Sequence, residues 1–292
     1  MENILWWDPR HSLETKLIDP SCLDIEMSKQ ESAFICGLLR SKRPNKILEI
    51  GVSAGGTSAV ILKALDMLNL PSQLHSIDVT AEWARDQNKT TGYVVGEYVP
   101  ELMKRWDLHL GNVASIPLKT IGNGIDFCVI DTMHILPGEI LDFLVAFPYL
   151  QTGAVVLLHD TARHYDKPYD TNFLRYATSL LFSCVVADKL TLVSIDRQEG
   201  LANISAFIIT EDTKKYIANV FSALTISWAY MLPPSIIDHY LAGMSPFYSE
   251  ELMEFVKRII NMNLMMRGMN FRYPTDANKK ILLNTTGEEI KV

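Results

Sequence analysis

Residues 46–57 read Lys46-Ile47-Leu48-Glu49-Ile50-Gly51-Val52-Ser53-Ala54-Gly55-Gly56-Thr57, and this stretch decides the fold. Residues 47–50 form a short buried-strand pattern. The glycines then allow a tight turn, and residues 57–65 begin a helix. Glycine has no Cβ, so the amides of such a turn can face a ligand closely. The start of a helix also favours electron-rich groups. Dinucleotide binders carry GxGxxG at this place. Here Ser53 stands where the second glycine would be, so the turn is a poor nicotinamide fingerprint. Taken alone, it reads equally well as a plain αβ turn whose glycines serve geometry.

Outward from this turn, further strand patterns fall at 74–78, 106–110, 127–131 and 154–160, with helical segments between most of them, such as 139–149. Strand–helix alternation predicts a parallel sheet covered by helices on both faces. Two more strands are expected at 190–195 and 204–209. Gly200 and Asn203 lie between them, which predicts a hairpin closing the sheet edge. The expected fold is thus α/β, Rossmann-like and doubly wound. It has a mostly parallel seven-stranded sheet with an antiparallel edge hairpin.

Residues 1–44 read as an N-terminal helical cover, with helical spacing over 28–40. Residues 45–210 carry the sheet. Residues 211–292 read as a C-terminal helical extension, with helices at 216–231, 235–242 and 249–266. In it, Met262, Met265 and Met266 look like adaptable core or interface filler. These helices are the expected surface of any homo-oligomer. Trp228 and Tyr230 are expected in the core.

The chain has 292 residues and a formal net charge of −7, without a lysine/arginine block. That argues against nucleic acid as partner. No apolar run approaches the roughly 20 residues that span a bilayer. The first residues do not read as a signal peptide. Cys22, Cys36, Cys128 and Cys184 form no CxxC pair, and Cys128 sits in an apolar run. A reducing cytoplasm fits.

Asp78 ends the second strand, 22 residues past Gly56. A carboxylate here can accept hydrogen bonds from both ribose hydroxyls of a nucleoside; otherwise it caps the next segment. A second constellation joins Asp131-Thr132-Met133-His134 to His159-Asp160-Thr161. In a doubly wound order, Asp131 and Asp160 end neighbouring strands roughly 4.8 Å apart, beside the glycine turn. Two close carboxylates call for a shared proton or a cation between them. Mg²⁺ prefers such oxygen ligands. His134 and His159 titrate near neutrality and are general-base candidates. Against this stand an N-cap role for Asp160 and a turn role for His134. His75 and His109 lie on strands and read as structural. His164, Tyr165 and Tyr169 read as a lid or as loop packing.

An acidic residue followed by Gly-x-x-x-Gly, here Glu49, Gly51 and Gly55, resembles the first motif of class I methyltransferases. The resemblance implies that the glycines approach the methionine part of S-adenosylmethionine, that Asp78 holds its ribose and that Asn112 contacts adenine. Asp131, His134, Tyr149-Leu150, Gly153, His159 and Asp160 are similar to a small-molecule O-methyltransferase branch with cephalosporin hydroxylase-like and macrocin-type members. Its metal-dependent members use acids after strands four and five. Several place a second acid or Asn where this chain has Thr161. The expectation is methyl transfer to the hydroxyl of a small molecule or glycan precursor. His134 is the first choice of base and His159 the next. Asp131 and Asp160 would orient the base or hold Mg²⁺. The alternatives are a non-catalytic cofactor-binding or assembly module, and a metal-dependent hydroxylase.

Overall fold

A computed structural model describes residues 26–162, 176–192 and 203–268. Cys22, the expected lid residues His164, Tyr165 and Tyr169, and the Gly200 turn lie outside the described residues.

Helix α1 (Lys29–Lys42) opens with a capping box, in which Ser28 and Glu31 satisfy each other's backbone amides. Strands β1 (Lys46–Ile50), β2 (Gln73–Asp78), β5 (Trp106–Leu110), β6 (Ile125–Ile130), β7 (Leu150–His159), β8 (Asp188–Thr191) and β9 (Ile204–Ile208) form one sheet, ordered β5-β2-β1-β6-β7-β9-β8. β9 pairs antiparallel with both β7 and β8, and the remaining pairs are parallel. The strand order reverses between β1 and β6. Open α/β sheets bind ligands at the carboxyl end of such a switch point. The expected seven-stranded, mostly parallel sheet and its antiparallel edge are therefore both present.

Helix α2 (Gly56–Met67) packs on the face holding Phe34, Leu39, Val60 and Phe127. Helices α4 (Leu118–Ile121), α5 (Gly138–Ala146), α6 (Ala177–Cys184), α8 (Ala218–Ala223), α9 (Pro234–Met244) and α10 (Glu250–Gly268) cover the other face. Phe221, Trp228, Met244 and Val256 share one apolar cluster with Cys128, Ile130 and Phe143. The described part of the C-terminal extension is thus built into the core of the sheet domain. Burying each such side chain contributes about 1.5–3 kcal/mol.

The expected helix at 216–231 is instead α7 (Glu211–Lys215), α8 and an irregular stretch leading to Pro233. The amide of Trp228 donates to the Asn263 side chain, and that of Ala229 to the carbonyl of Leu136. Tertiary acceptors have taken the donors a helix would use. Met262, Met265 and Met266 lie on the exposed side of α10, so they are surface and not core. The chain also forms a polar hairpin, β3 (Glu82–Trp83) and β4 (Asp86–Thr90), followed by α3 (Tyr93–Tyr98).

Within the core, Asp142 of α5 accepts from Tyr240 Oη of α9 at 2.6 Å and from Thr132 Oγ1 at 3.1 Å. Burial pushes its carboxyl up to about 7, although both donors favour the charged form. The folded protein therefore binds this proton more tightly than the unfolded chain. The associated stability is full below the ordinary value of 3.8 and is lost as pH rises through about 7. Tyr240→Phe removes one donor to the charged form. The expected loss is about 1–2 kcal/mol, larger at pH 8 than at pH 6. Urea denaturation at the two pH values measures it; an equal loss at both would show that Asp142 does not titrate in this range.

Candidate active site

The site gathers at the carboxyl ends of β1, β2, β6 and β7. Gly51 leaves β1 with φ of 91°, and a Cβ there would lie 1.8 Å from the carbonyl oxygen of Asp131. Only glycine lets β1 pass this close to the chain leaving β6. Gly55 has φ of 95° and is the N-cap of α2, so no side chain caps the first-turn amides of that helix. A Cβ at Gly55 would lie 2.8 Å from the Cα of Gly92. Gly92 in turn donates its amide to the Ser53 carbonyl at 2.9 Å.

Asp78 folds back onto this turn. Its Oδ2 accepts from the amides of Val52 (2.9 Å) and Ser53 (3.1 Å). Its Oδ1 accepts from the amide and the hydroxyl of Thr80, both at 2.9 Å. Glu49 points into the core instead, where Ser58 and Ser76 each donate to its Oε2 at 2.5 Å. Burial raises its carboxyl to about 7, partly offset by the two hydroxyls. Asn112 turns back to the Leu110 carbonyl at 3.0 Å. Ser53 receives the Trp83 indole at 3.2 Å and donates to Glu26 at 3.0 Å, and Arg85 pairs with Glu26. The hairpin and the chain ahead of α1 thus converge on the turn.

Asp131, His134, His159 and Asp160 come together beside it. His134 Nε2 lies 2.8 Å from Asp160 Oδ2 and 3.7 Å from Asp131 Oδ1. His159 Nδ1 lies 3.2 Å from Asp131 Oδ2, and its Nε2 lies 3.4 Å from Glu31 Oε1. Glu139, at the start of α5, takes the His134 amide and stands 3.5 Å from its Nδ1. Asn203, ahead of β9, donates to Asp160 Oδ1. Thr161 turns away to Ser205, 3.2 Å distant. Four carboxyl groups therefore surround two imidazoles. Burial alone would strip the His134 proton, but Asp160, Glu139 and Asp131 outweigh it and raise the imidazole to about 10. His159 is likewise raised well above 6.5, because Asp131, Glu31 and Asp160 overcome burial. Asp131 is lowered, since the two imidazoles outweigh its burial. Both histidines hold their protons at neutral pH in this arrangement. The expected general base His134 is here an imidazolium seated between Asp131 and Asp160.

Two further features set this region apart. His134 (φ 62°), Asp160 (φ 58°) and Ser53 (φ 51°) are three of the five non-glycine residues with positive φ among the described residues. Such strain collects where function requires a fixed geometry. Among the described residues, five buried side-chain polar atoms lack a hydrogen bond; Glu139 Oε2 is one of them in the cluster, while His134 Nδ1 and His159 Nε2 meet carboxylates only at ion-pair distance. Orphaned buried polar atoms call for a ligand or water.

Sequence reasoning missed Glu31, Glu139 and Asn203. Only Glu31 carried a signal, the Ser-x-x-Glu capping pattern at 28–31, and it pointed to helix capping.

Residues 48–161 match the family model described as a methyltransferase domain. The matched segment runs from β1 to the residue after Asp160, so it contains the glycine turn, Asp78 and the whole acid–histidine cluster except Glu31 and Asn203. No curated protein matches the chain. Among solved structures, the chain is similar to the O-methyltransferase TomG from Streptomyces achromogenes, involved in tomaymycin synthesis and in complex with SAM. The two share 20% identity over 64% of this chain and 83% of that one, with a TM-score of 0.46. An O-methyltransferase from Bacillus cereus in complex with SAH shows 17% identity over 63% and 82%, TM-score 0.42. The SAH-bound methyltransferase PaMTH1 of Podospora anserina shows 15% identity over 64% and 81%, TM-score 0.44. No helix among the described residues is long and apolar enough to cross a membrane.

Proposed function

We propose that this protein transfers the methyl group of S-adenosylmethionine to an oxygen acceptor, a small-molecule or sugar hydroxyl. The observation that carries the reading is the glycine-bounded turn at Gly51–Gly55, cradled by Asp78 at the switch point and adjoining the Asp131–His134–His159–Asp160 cluster. The uncapped amides of α2 suit a carboxylate such as that of the methionine moiety. Asp78 suits a ribose. Of its four donors, the Thr80 hydroxyl is the one that can rotate away, toward Thr91 Oγ1 at 3.4 Å, freeing Oδ1 for a sugar hydroxyl.

The cofactor supplies an electrophilic methyl on a sulfonium, and the protein supplies position. The acidic surroundings of the cluster favour a cationic group nearby. His134 and His159 hold protons and orient Asp131 and Asp160, whose carboxylates are placed to align an acceptor hydroxyl. Asp131, Asp160 and His134 have ligand atoms within 4.8 Å of one another, and the two carboxylates would hold Mg²⁺ once the imidazolium moves aside. An ion there would withdraw the negative charge that keeps His134 protonated, which returns it to the role of base.

Calorimetry with S-adenosylmethionine and S-adenosylhomocysteine tests the pocket. Both are expected to bind, and Asp78→Ala is expected to weaken both by at least about tenfold, the value of roughly one charge-assisted hydrogen bond. Failure of the wild-type protein to bind either one would overturn the reading. Binding of both, without methyl transfer to any hydroxyl in a broad acceptor panel with Mg²⁺, would favour a cofactor-binding module instead.

A further inference from the structure

A second group of metal-ligating side chains lies on β2 and β5, apart from the cluster that follows β6 and β7. His75 faces Asp107 across the β2–β5 register. His109 is two residues along β5 from Asp107, so both project from the same face. The Oδ2 atom of Asp107 is 3.1 Å from His75 Nδ1 and 3.1 Å from His109 Nε2. One oxygen therefore serves two rings. All three ligand atoms lie within 4.8 Å of one another.

The contacts lie within the range of about 2.7–3.2 Å of an ordinary N–H···O bond, and two comparisons bear on a metal site. Charge-assisted N–H···O bonds close to about 2.7–2.9 Å, and both contacts here are longer. A tetrahedral ion bonded at about 2.0–2.1 Å keeps its donors roughly 3.3–3.4 Å apart, which the two 3.1 Å edges nearly meet. Two imidazole nitrogens and one carboxylate oxygen suit zinc and its neighbours, whereas Mg²⁺ prefers oxygen alone. The side chains of His75, Asp107 and His109 are 15%, 47% and 23% exposed, so an ion reaches them from solvent and water can complete its shell.

We infer that His75, Asp107 and His109 form a binding site for a Zn²⁺-class divalent ion that ties strand β5, at the sheet edge, to β2. Each ring would present to the ion the nitrogen that now faces Asp107 and carry its proton on the other. β5 leads straight into Gly111 and Asn112, so the ion would fix the strand that sets this turn. The inference is independent of methyl transfer.

Tag-free full-length protein titrated with Co²⁺ provides the test, read by the visible absorption of the bound ion. One site with the strong band of a four-coordinate centre is expected. His75→Gln and His109→Gln should each weaken binding by at least roughly tenfold, since loss of even an outer-shell partner costs that much. The Asp131→Asn/Asp160→Asn double variant should retain it. X-ray absorption of the Zn²⁺-loaded wild-type protein needs no variant, and is expected to show two imidazoles in the coordination shell. Absence of binding, loss confined to the Asp131/Asp160 variant, or a shell with a single imidazole would overturn the assignment.

Discussion

Gly51→Ala is expected to destabilise the protein by about 3–5 kcal/mol and to abolish cofactor binding in whatever fraction still folds. Two costs add. The backbone sits at φ of 91°, which strains any residue with a Cβ. The new methyl group would also meet the Asp131 carbonyl oxygen at 1.8 Å and its carbon at 2.6 Å. Neither is the end of a flexible side chain. Relief requires β1 and the chain after β6 to separate, against the hydrogen bond from the Asp131 amide to the Ile50 carbonyl at 2.9 Å. Gly124→Ala is the control. Its φ is 85° but a Cβ there meets nothing within 4 Å, so only the conformational cost of about 1–2 kcal/mol applies. Denaturant midpoints of the two variants separate contact from strain. Equal losses would mean that β1 and β6 do not approach as described.

The second large effect belongs to Asp131→Asn. The substitution keeps the shape of the side chain but leaves the buried His159 without its nearest charge partner. Breaking a buried pair from one side costs about 3–5 kcal/mol. Its sign with pH follows from both partners. Asp131 is lowered, so its contribution is present above the ordinary 3.8 and is lost as pH falls through its folded value. His159 is raised, so its contribution is full below 6.5 and is lost as pH climbs through its folded value. The deficit of the variant should therefore be greatest between about pH 4 and 6.5 and shrink toward alkaline pH. Thermal melts across this range, with the His159 ring followed by NMR, measure it. A deficit that does not change with pH would show that His159 is neutral in the folded protein.

Much of the sheet could be read from residue order. Runs such as 47–50 and 127–130 are too apolar and too short for anything but buried strands, and the glycines at 51 and 55 fix where the first one turns. Asp131, His134, His159 and Asp160 were legible because strand ends in a parallel sheet must meet at one edge. The rest of the cluster was not. Glu31 and Asn203 reach the site from segments far away in sequence, and pattern reading sees only neighbours. The hairpin at 82–90 has almost no apolar alternation, so nothing announced it. The expected helix at 216–231 kept its propensity but lost its amides to Asn263 and Leu136. The protonation of His134 was hidden for a similar reason. Ring chemistry alone places an imidazole near neutrality, and only the surrounding carboxyl groups move it to about 10.

Glu31 belongs to two cooperative units at once. Its backbone amide and one carboxylate oxygen lock the first turn of α1, while the other oxygen reaches His159. Fraying of that turn and the proton affinity of the imidazole are therefore thermodynamically linked through a single side chain. Whatever keeps His159 charged steadies the first turn of α1, and whatever loosens that turn lowers the proton affinity at the heart of the protein.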